Sequence, residues 1–218
     1  MKKTICYISF LLVLCACLLG LSSCASTVRQ MTLFAVDGGE YTLPSRPSFV
    51  LAVGDKLQMS VSSADEKAVA LYNSAGNDFY IEDDGAVLLP VLGRVALAGK
   101  TEKEAVVLLA ERIQEQLREP FVTVHVTNAI VTVLGEVAAP CQIPVEQPIT
   151  LAEAIGGAGG MTNNARRDNV MVQRRVGQKI KVYRINLQTD EIFASPCYYL
   201  QKGDVVYVSP LHMVNSGK

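Results

Sequence analysis

Apolar and polar residues alternate along two stretches in the first half of the chain, residues 57–61 and 121–127. A period of two is typical of a strand with one buried face, so both stretches are predicted to be strands. Between them, apolar residues recur every four positions over residues 105–117, which predicts a helix with one apolar face. The sequence TEKE at residues 101–104 is a capping box that begins this helix, and Pro120 ends it.

Shorter apolar runs, separated by turn residues, fill the rest of the first half. Asp84-Gly85 lies between two of these runs and predicts the turn of a β-hairpin that joins them. The remaining runs predict one short helix and further short strands. In chain order the predicted strands are residues 49–53, 80–81, 86–89 and 91–97, and the short helix is residues 64–71.

The second half shows the same mixture of elements. A second capping box, TLAE at residues 150–153, begins a short helix, and the glycines of residues 156–160 end it. Strands are predicted before and after this helix, including a hairpin around Gly177. Their ranges are residues 130–134, 170–176, 180–185, 198–200 and 205–208. Pro140 and Pro144 predict a turn after the first of these strands. Each half is therefore interpreted as a small α+β unit, in which one main helix packs against a sheet.

A five-residue pattern, Leu-x-x-Gly-Asp, occurs once in each half, at residues 51–55 and at residues 200–204. Glycine followed by aspartate is typical of a turn, because glycine supplies unusual backbone angles and aspartate bonds to nearby backbone groups. Nothing else in the two halves aligns. We therefore interpret the pattern as a shared turn and not as the trace of a duplication.

The first 24 residues have the order of a secretory signal. Two lysines come first, then an apolar run over residues 5–21, then small residues. The run is short of the roughly 20 residues that a membrane-spanning helix needs. Leu21-Ser22-Ser23-Cys24 resembles the lipobox of bacterial lipoproteins, and this resemblance implies cleavage before Cys24 and a lipid on its sulfur. The alternative is an uncleaved N-terminal anchor helix.

Cleavage before Cys24 changes both the charge and the number of free cysteines. The 218-residue chain has a net charge of −1, and loss of Lys2 and Lys3 with the signal leaves 195 residues at −3. A chain without a bulk positive field is a poor nucleic-acid binder. Cys141 and Cys197 remain as thiols in an oxidising compartment. They form one disulfide or stay two separate thiols, because sequence does not give the distance between them.

The motifs of the two halves, taken in order, resemble a known family. Residues 53–61 and 81–126 carry a strand, an Asp-Gly turn, Leu-Pro-x-Leu-Gly, Gly-x-Thr before a helix, a proline and an alternating strand. This order resembles the polysaccharide biosynthesis/export domain of outer-membrane capsule and exopolysaccharide translocons. Residues 131–175 and 200–208 resemble the soluble-ligand-binding β-grasp (SLBB) domain that follows it in that family.

The resemblance implies an α+β fold with two small mixed domains, an export-type domain followed by a β-grasp (SLBB) domain. It also implies a division of the whole chain. The expected parts are a lipoprotein signal peptide at residues 1–23, a lipid-anchored tether at 24–48, the polysaccharide export domain at 49–128, the SLBB domain at 129–210 and a C-terminal tail at 211–218.

The resemblance further implies a role in the export of capsule or exopolysaccharide. The expected protein is a lipoprotein of the outer membrane that faces the periplasm and forms a homo-oligomeric ring whose lumen conducts polysaccharide. Its expected partners are the polysaccharide and an inner-membrane chain-length regulator or tyrosine autokinase. Conduction through a lumen needs no catalytic residue, so no enzyme activity, cofactor or metal is expected.

Two features depart from the family pattern. Cys141 follows Pro140 where the family usually has glycine. If the turn needs a positive φ, either this residue is strained or the turn differs from that of the family. The eight residues of 211–218 would measure roughly 12 Å as a helix, far short of a bilayer. We therefore expect this chain not to build an outer-membrane pore alone. It would be a truncated member, dock on a separate pore, or work as a periplasmic ring.

Two other functions are compatible with the sequence. One is a periplasmic lipoprotein that binds a soluble glycan through its β-grasp domain without forming a conduit. The other is an enzyme acting on envelope glycans, which would need two carboxylates across a cleft. The sequence shows no such pair of carboxylates.

Four arginines are candidate contacts for an acidic polysaccharide or a neighbouring subunit, if they form one basic patch. The alternative is that they are solvated ends of strands and loops. The four are Arg166, Arg167, Arg174 and Arg175.

Three further features favour a structural interpretation. Residues 82–84 are acidic but lack the ligand spacing of a calcium loop, which favours a solvated turn. Residues 156–160 are rich in glycine but lack the Lys-Ser/Thr ending of a phosphate loop, which favours a helix stop. Tyr198 and Tyr199 are expected in sheet and interface packing.

Overall fold

The computed structural model describes residues 39–211, apart from positions 75 and 77. In this range the chain has an α+β architecture, with three α-helices, a short 3-10 helix and ten strands in three sheets. The predicted signal peptide, Cys24 and the first part of the predicted tether lie outside the described residues, as does most of the predicted tail. Within the described range, no helix combines the length and apolarity needed to cross a membrane.

The first half consists of two helices, a three-stranded sheet and a two-stranded ribbon. Its elements are β1 (Lys56–Ser62), α1 (Glu66–Tyr72), β2 (Asp78–Tyr80), β3 (Ala86–Leu89), β4 (Gly93–Ala96), α2 (Glu102–Gln114) and β5 (Phe121–Val126). In the sheet, β1 lies in the centre and pairs antiparallel with β2 and with β5. The ribbon is the antiparallel pair of β3 and β4.

The periodic segments of the first half fold as predicted. The apolar residues of β1 and β5 are buried and their polar neighbours face outward. Helix α2 buries Ala105, Leu109 and Ile113 on one face, as their spacing predicts. Its capping box is complete, because the Thr101 hydroxyl accepts the Glu104 N–H at 3.2 Å and the Glu104 carboxylate accepts the Thr101 N–H at 2.7 Å.

Two predictions for the first half are wrong. Residues 49–53 form no strand, and only Val50 makes an isolated bridge, to Thr101. The turn at Asp84-Gly85 forms, with the Gly85 N–H donating to the Glu82 carbonyl at 2.8 Å, but it does not join two paired strands. β2 pairs with β1 while β3 pairs with β4. The turn is a local feature, whereas the choice of partner depends on which strand edge is free elsewhere.

The second half is one helix on a five-stranded mixed sheet. Its elements are β6 (Ile130–Gly135), β7 (Cys141–Pro144), α3 (Leu151–Gly157), β8 (Ala165–Val176), β9 (Lys179–Ile185), the 3-10 helix (Asp190–Ala194) and β10 (Val205–Pro210). The strand order is β7-β6-β10-β8-β9. β10 runs parallel to β6, and the other neighbours are antiparallel. Buried apolar side chains form one continuous cluster through both halves.

The hairpin around Gly177 and the capping box of α3 are confirmed, and two other predictions for this half are wrong. Residues 198–200 form no strand, since only Tyr199 makes a bridge, to Thr150. The segment around Pro140 and Pro144, predicted as a turn, contains β7. β7 is an edge strand, where proline is tolerated because one side of the strand needs no ladder hydrogen bonds.

Candidate functional site

The two Leu-x-x-Gly-Asp segments fold into the same turn, which confirms their interpretation as a shared turn. In the first, the Asp55 carboxylate accepts the Ala52 N–H at 2.7 Å, and the Asp55 N–H donates to the Ala52 carbonyl at 3.1 Å. In the second, Asp204 makes the same two bonds with Gln201, at 2.8 Å and 3.1 Å. In both turns the aspartate therefore bonds to the residue three positions before it.

These twin turns meet, and the contact joins the two halves of the chain. Lys202, in the second turn, donates its ammonium to the Asp55 carboxylate in the first. Both side chains are largely buried, with 15% of Lys202 and 12% of Asp55 exposed. Charges removed from water attract each other more strongly than surface charges do. We call this contact between the twin turns the junction.

Asn128, at the covalent link between the halves, also bonds to the first turn. Its side-chain oxygen accepts the Lys56 N–H at 2.9 Å, and its amide donates to the Gly54 carbonyl at 3.0 Å. The Thr127 N–H donates to the Lys56 carbonyl at 2.8 Å. The chain therefore enters the second half from a position that hydrogen bonds hold beside the first turn.

A buried arginine stabilises the second turn from behind. Arg174 donates from Nε to Asp204 Oδ1 at 3.0 Å and from Nη2 to Asp204 Oδ2 at 2.7 Å. It also donates to the carbonyls of Pro196 and Tyr199, each at 3.1 Å. The Asp204 side chain is 1% exposed, so its charge depends on Arg174 for compensation.

We call residues 39–48 the strap. The strap contains no helix or regular strand, yet it contacts the second half. The Tyr41 ring stacks on Phe193 with centroids 4.7 Å apart, and the Arg46 guanidinium lies 5.5 Å from the centroid of Tyr199. The pKa of Glu153 is lowered mainly by the backbone hydrogen bond from Thr150, and the charge of Arg46 adds to this effect. This part of the predicted tether therefore packs on the fold.

The strap covers a cluster of aromatic rings. Phe193 and Tyr198 lie 6.1 Å apart between centroids, and Tyr198 meets Tyr199 edge to face at 4.9 Å. Burial raises the pKa of Tyr198 above its ordinary value. Tyr198 and Tyr199 therefore pack against other side chains, as expected, and their neighbours take up ring surface that a sugar would need.

The four candidate arginines do not form one basic patch. Arg166 pairs with Asp168 at 3.1 Å, and Arg167 is buried and donates to the Ala165 carbonyl at 3.0 Å. Arg174 pairs with Asp204, and among these four arginines only Arg175 is both exposed and without an ion pair in the described part of the chain. Arg166 and Arg175 are nine residues apart on β8, roughly 30 Å at the rise of a strand.

Cys141 and Cys197 are separate free thiols in the structure, so the disulfide left open by the sequence is not formed. Cys141 lies on β7, whereas Cys197 lies near Arg174 of β8, three strand positions away. At about 4.8 Å per strand this separation exceeds the reach of a disulfide. Burial raises the pKa of the Cys197 thiol to about 11.

Of the two alternatives for Cys141, a strained residue or a different turn, the structure shows no strained backbone. Among the described residues other than glycine, only Val91 and Glu119 have a positive φ. Cys141 begins β7 with ordinary strand backbone, so this segment differs from the Pro-Gly turn that the family usually has there.

The acidic and glycine-rich motifs have structural explanations. Arg94 pairs with Glu82 and Asp84, and in the described residues no group of three or more His, Cys, Asp or Glu side chains is placed to hold a metal. Residues 156–160 end α3, as predicted, because Gly159 and Gly160 have φ of 79° and 84°.

Sequence reasoning missed the junction and the strap. The repeated Leu-x-x-Gly-Asp pattern pointed to Asp55 and Asp204 as turn residues, but it carried no information that the two turns touch through Lys202. Arg46 and Tyr41 gave no signal, because they belong to a segment without periodicity.

Comparison with protein families gives two matches in the order of the two halves. The family described as polysaccharide biosynthesis/export protein matches residues 43–127, and the SLBB domain matches residues 129–208. The first match begins inside the strap. Together the two matched segments cover about three quarters of the chain.

Three curated proteins are similar to this chain. The EPS I polysaccharide export outer membrane protein EpsA of Ralstonia solanacearum is 29% identical over 136 residues, 61% of this chain and 36% of that protein. EpsA of Ralstonia nicotianae is 32% identical over 105 residues, 46% of this chain and 27% of that protein. The exopolysaccharide production protein ExoF of Rhizobium meliloti is 27% identical over 153 residues, which are 67% of this chain and 35% of that protein. The matches span about a third of these relatives or less.

Proposed function

Because the chain belongs to the polysaccharide biosynthesis/export protein family, we propose that it is a component of a complex that exports capsule or exopolysaccharide. The observation that carries this proposal is the succession of an export domain and an SLBB domain. The names of the three relatives, which specify polysaccharide export or exopolysaccharide production, support the same role. The proposed role is conduction of polysaccharide, not catalysis.

The proposed location is the outer membrane, with the folded part in the periplasm and a lipid on Cys24. Two of the three relatives are named outer membrane proteins, which supports the location. The lipobox at the end of a secretory signal supports the anchor. One acyl chain holds a protein weakly and several hold it stably, so a lipoprotein anchor suits a permanent component.

In the proposed assembly, copies of the chain form a ring that surrounds the path of the polysaccharide. The proposed domain boundary lies near residue 128, between an export domain at 49–128 and an SLBB domain at 129–210. The junction supports ring formation, since an ion pair that limits movement between two halves lets each copy act as a stiff unit. A chain-length regulator or tyrosine autokinase of the inner membrane is the proposed partner.

The competing function is that of a periplasmic module that binds one glycan without forming a conduit. Such sites normally offer flat aromatic faces to the sugar. Here the clustered rings of Phe193, Tyr198 and Tyr199 pack on one another, and Tyr41 and Arg46 cover them. This packing favours export over tight glycan binding.

Deletion and complementation in the source organism test the proposal. Deletion is expected to abolish surface polysaccharide, measured by sugar analysis of washed cells, and the wild-type gene is expected to restore it. A Cys24→Ser variant is expected to lose palmitate labelling and most export, whereas Cys141→Ser, the matched control, keeps both. Normal surface polysaccharide in the deletion strain would refute the role. Tight binding of one oligosaccharide by a monomer would favour the glycan-binding module.

A further inference from the structure

One face of the β8–β9 hairpin combines exposed aliphatic side chains with arginines. The strand register places Met171 opposite Arg184, Gln173 opposite Val182, and Arg175 opposite Ile180. On β8 these positions alternate with the buried Val170 and Val172. On β9 they alternate with Lys181, which is exposed, and Tyr183, which is half-buried. The strand pairing places the six residues on one side of the hairpin. We call them the hairpin face.

The hairpin face is exposed and its charges are uncompensated. Ile180 is 68% exposed and Val182 is 51% exposed. Val182 lies at the centre of the face, and Ile180 lies beside Arg175 at one end. Arg175 and Arg184 lie at its two ends, and neither forms an ion pair within the described part of the chain. Arg175 donates to the Gly177 carbonyl and Arg184 to the Asn169 side chain, so both keep their positive charge without a carboxylate.

This combination is typical of a protein–protein interface. Aliphatic side chains gain free energy when another apolar surface removes them from water. Arginine is enriched at such interfaces, because its guanidinium forms directed bonds with carboxylates. A sugar chain would find no aromatic ring among the six residues of the hairpin face.

The charge distribution identifies the first half of another copy as the complementary surface. Residues 165–185 contain seven Lys and Arg, of which Arg166, Arg167 and Arg174 are ion-paired or buried within the fold. The other four are exposed cations: Arg175, Lys179, Lys181 and Arg184. Residues 49–128 contain twelve Asp and Glu against seven Lys and Arg. A basic hairpin and an acidic domain on the same chain attract each other between copies.

Helix α2 presents the matching surface within that acidic half. Val107 is 58% exposed, and Glu111 and Glu115 follow at intervals of four residues, on the side away from the buried Leu109. Neither glutamate forms an ion pair in the described chain. We call these three residues the acidic helix face. It is about 12 Å long, and the β9 segment from Ile180 to Arg184 is about 13 Å long.

We propose that the hairpin face of one copy docks on the acidic helix face of the next copy, head to tail. With the two segments aligned, Ile180 covers Val107, Arg184 at the other end of the hairpin face pairs with Glu115, and Arg175, beside Ile180, reaches Glu111. A head-to-tail contact leaves one of each face free at the ends of any open array, and its repetition closes a ring when the rotation between neighbouring copies brings these two ends together. This inference rests on the proposed ring assembly.

Charge reversal tests the contact in the full-length lipidated protein, extracted from membranes in mild detergent and examined by native mass spectrometry. Variant R175E/R184E reverses the hairpin face, and variant E111R/E115R reverses the acidic helix face. Each variant is expected to assemble more weakly: the protein concentration below which the assembly dissociates should be about a hundredfold higher than for wild type. The control K67E/K100E makes the same charge change as the first variant outside both faces, and is expected to assemble as wild type.

A mixture of the two variants gives the decisive test of the contact. In an alternating array, each reversed hairpin meets a reversed helix and each native hairpin meets a native helix, so the mixture is expected to assemble. Circular dichroism melting checks that each variant is folded. Melting at the wild-type temperature with rescue in the mixture supports the docking.

Three results would overturn the inference. In the first, both variants assemble as wild type while wild type forms rings, which leaves the ring proposal standing and removes this contact. In the second, the folded variants fail to assemble and mixing does not rescue them, which removes the pairing. In the third, R175E/R184E assembles normally but no longer retains an anionic polysaccharide, which makes the hairpin face a ligand surface. A monomeric wild type would instead refute the proposed ring itself.

Discussion

Single charged residues have different roles in this protein according to burial. Asp204 and Asp168 are both paired with arginines of β8, but the Asp204 side chain is 1% exposed and the Asp168 side chain is 49% exposed. A buried carboxylate that loses its charge leaves its arginine uncompensated in a poorly solvated place, whereas water replaces an exposed partner. An Asp–Arg ion pair therefore contributes strongly to the stability of the fold at Asp204 and very little at Asp168.

We predict that Asp204→Asn lowers the free energy of unfolding by about 3 kcal/mol, because Arg174 keeps its charge without a carboxylate. The control Asp168→Asn removes the exposed pair with Arg166 and is expected to cost less than about 1 kcal/mol. Urea unfolding of the purified proteins, followed by circular dichroism, measures both. Equal losses in the two variants would contradict this distinction.

At the scale of elements, both main helices begin with the same device, a threonine followed three residues later by a glutamate. In α3 the Thr150 N–H donates to the Glu153 carboxylate at 2.6 Å, and the Glu153 N–H donates to the Thr150 hydroxyl at 3.1 Å. In both boxes the backbone hydrogen bond from threonine is the main cause that lowers the pKa of the glutamate. These bonds satisfy N–H groups that would otherwise be unpaired at the helix start.

This lowering of the pKa predicts a loss of stability in acid. A carboxyl group whose pKa is lower in the folded state than in the unfolded state stabilises the fold fully above its unfolded pKa. That contribution disappears as the pH falls through the folded pKa. We therefore expect the stability of the protein to fall below about pH 4.5, the ordinary value for glutamate.

The double variant E104Q/E153Q is expected to show a shallower fall in acid, because glutamine can still cap the helix but takes up no proton. Urea midpoints measured between about pH 3 and pH 7 test this expectation. The control E119Q/E146Q changes two exposed glutamates without capping bonds, outside the proposed contact between copies, and is expected to follow the wild-type curve. Identical curves for all three proteins would show that the capping glutamates do not contribute to the loss of stability in acid.

Glycine is required at one strand end in the second half. Gly135 has a φ of 91°, and a Cβ atom there would lie 2.1 Å from the Val208 carbonyl oxygen. β6 and β10 are parallel neighbours, and the Glu136 N–H donates to that same carbonyl at 2.9 Å. Only glycine allows the backbone to turn away so close to the partner strand.

At the scale of the whole molecule, the two halves share one continuous cluster of buried apolar side chains. They also touch through polar contacts at the junction and through the strap. Lys202 and Asp55 connect turns that lie 147 positions apart in the sequence. The strap adds aromatic contacts from the N-terminal side, through Tyr41 and Arg46. Both contacts connect segments of the first half, or the residues that precede it, to the second half.

We predict a coupling of about 1–3 kcal/mol between Asp55 and Lys202 in a double-mutant cycle on unfolding, using alanine at each position. The control cycle, on Lys56 and Asp78, concerns a pair at 2.7 Å whose side chains are 31% and 54% exposed. Its expected coupling is below about 1 kcal/mol, because water screens exposed pairs. No coupling between Asp55 and Lys202 would show that the junction does not join the halves energetically.

The sequence by itself determined those features that depend on neighbours a few positions away. The alternation in β1 and β5, the four-residue spacing in α2, both capping boxes and the hairpin at Gly177 all appear as predicted. Each results from contacts between residues two to four positions apart, or from the backbone freedom of one glycine. The order of motifs also identified the family, since that order depends on the chain alone.

The tertiary structure decided which distant segments meet. It paired β2 with β1, made an edge strand of residues flanked by prolines, separated Cys141 from Cys197, and dispersed the four candidate arginines. It also brought Lys202 to Asp55 and placed the strap on the aromatic rings. The physical reason is that partner choice depends on the free energy of the whole fold, in which many alternative pairings have similar local preferences.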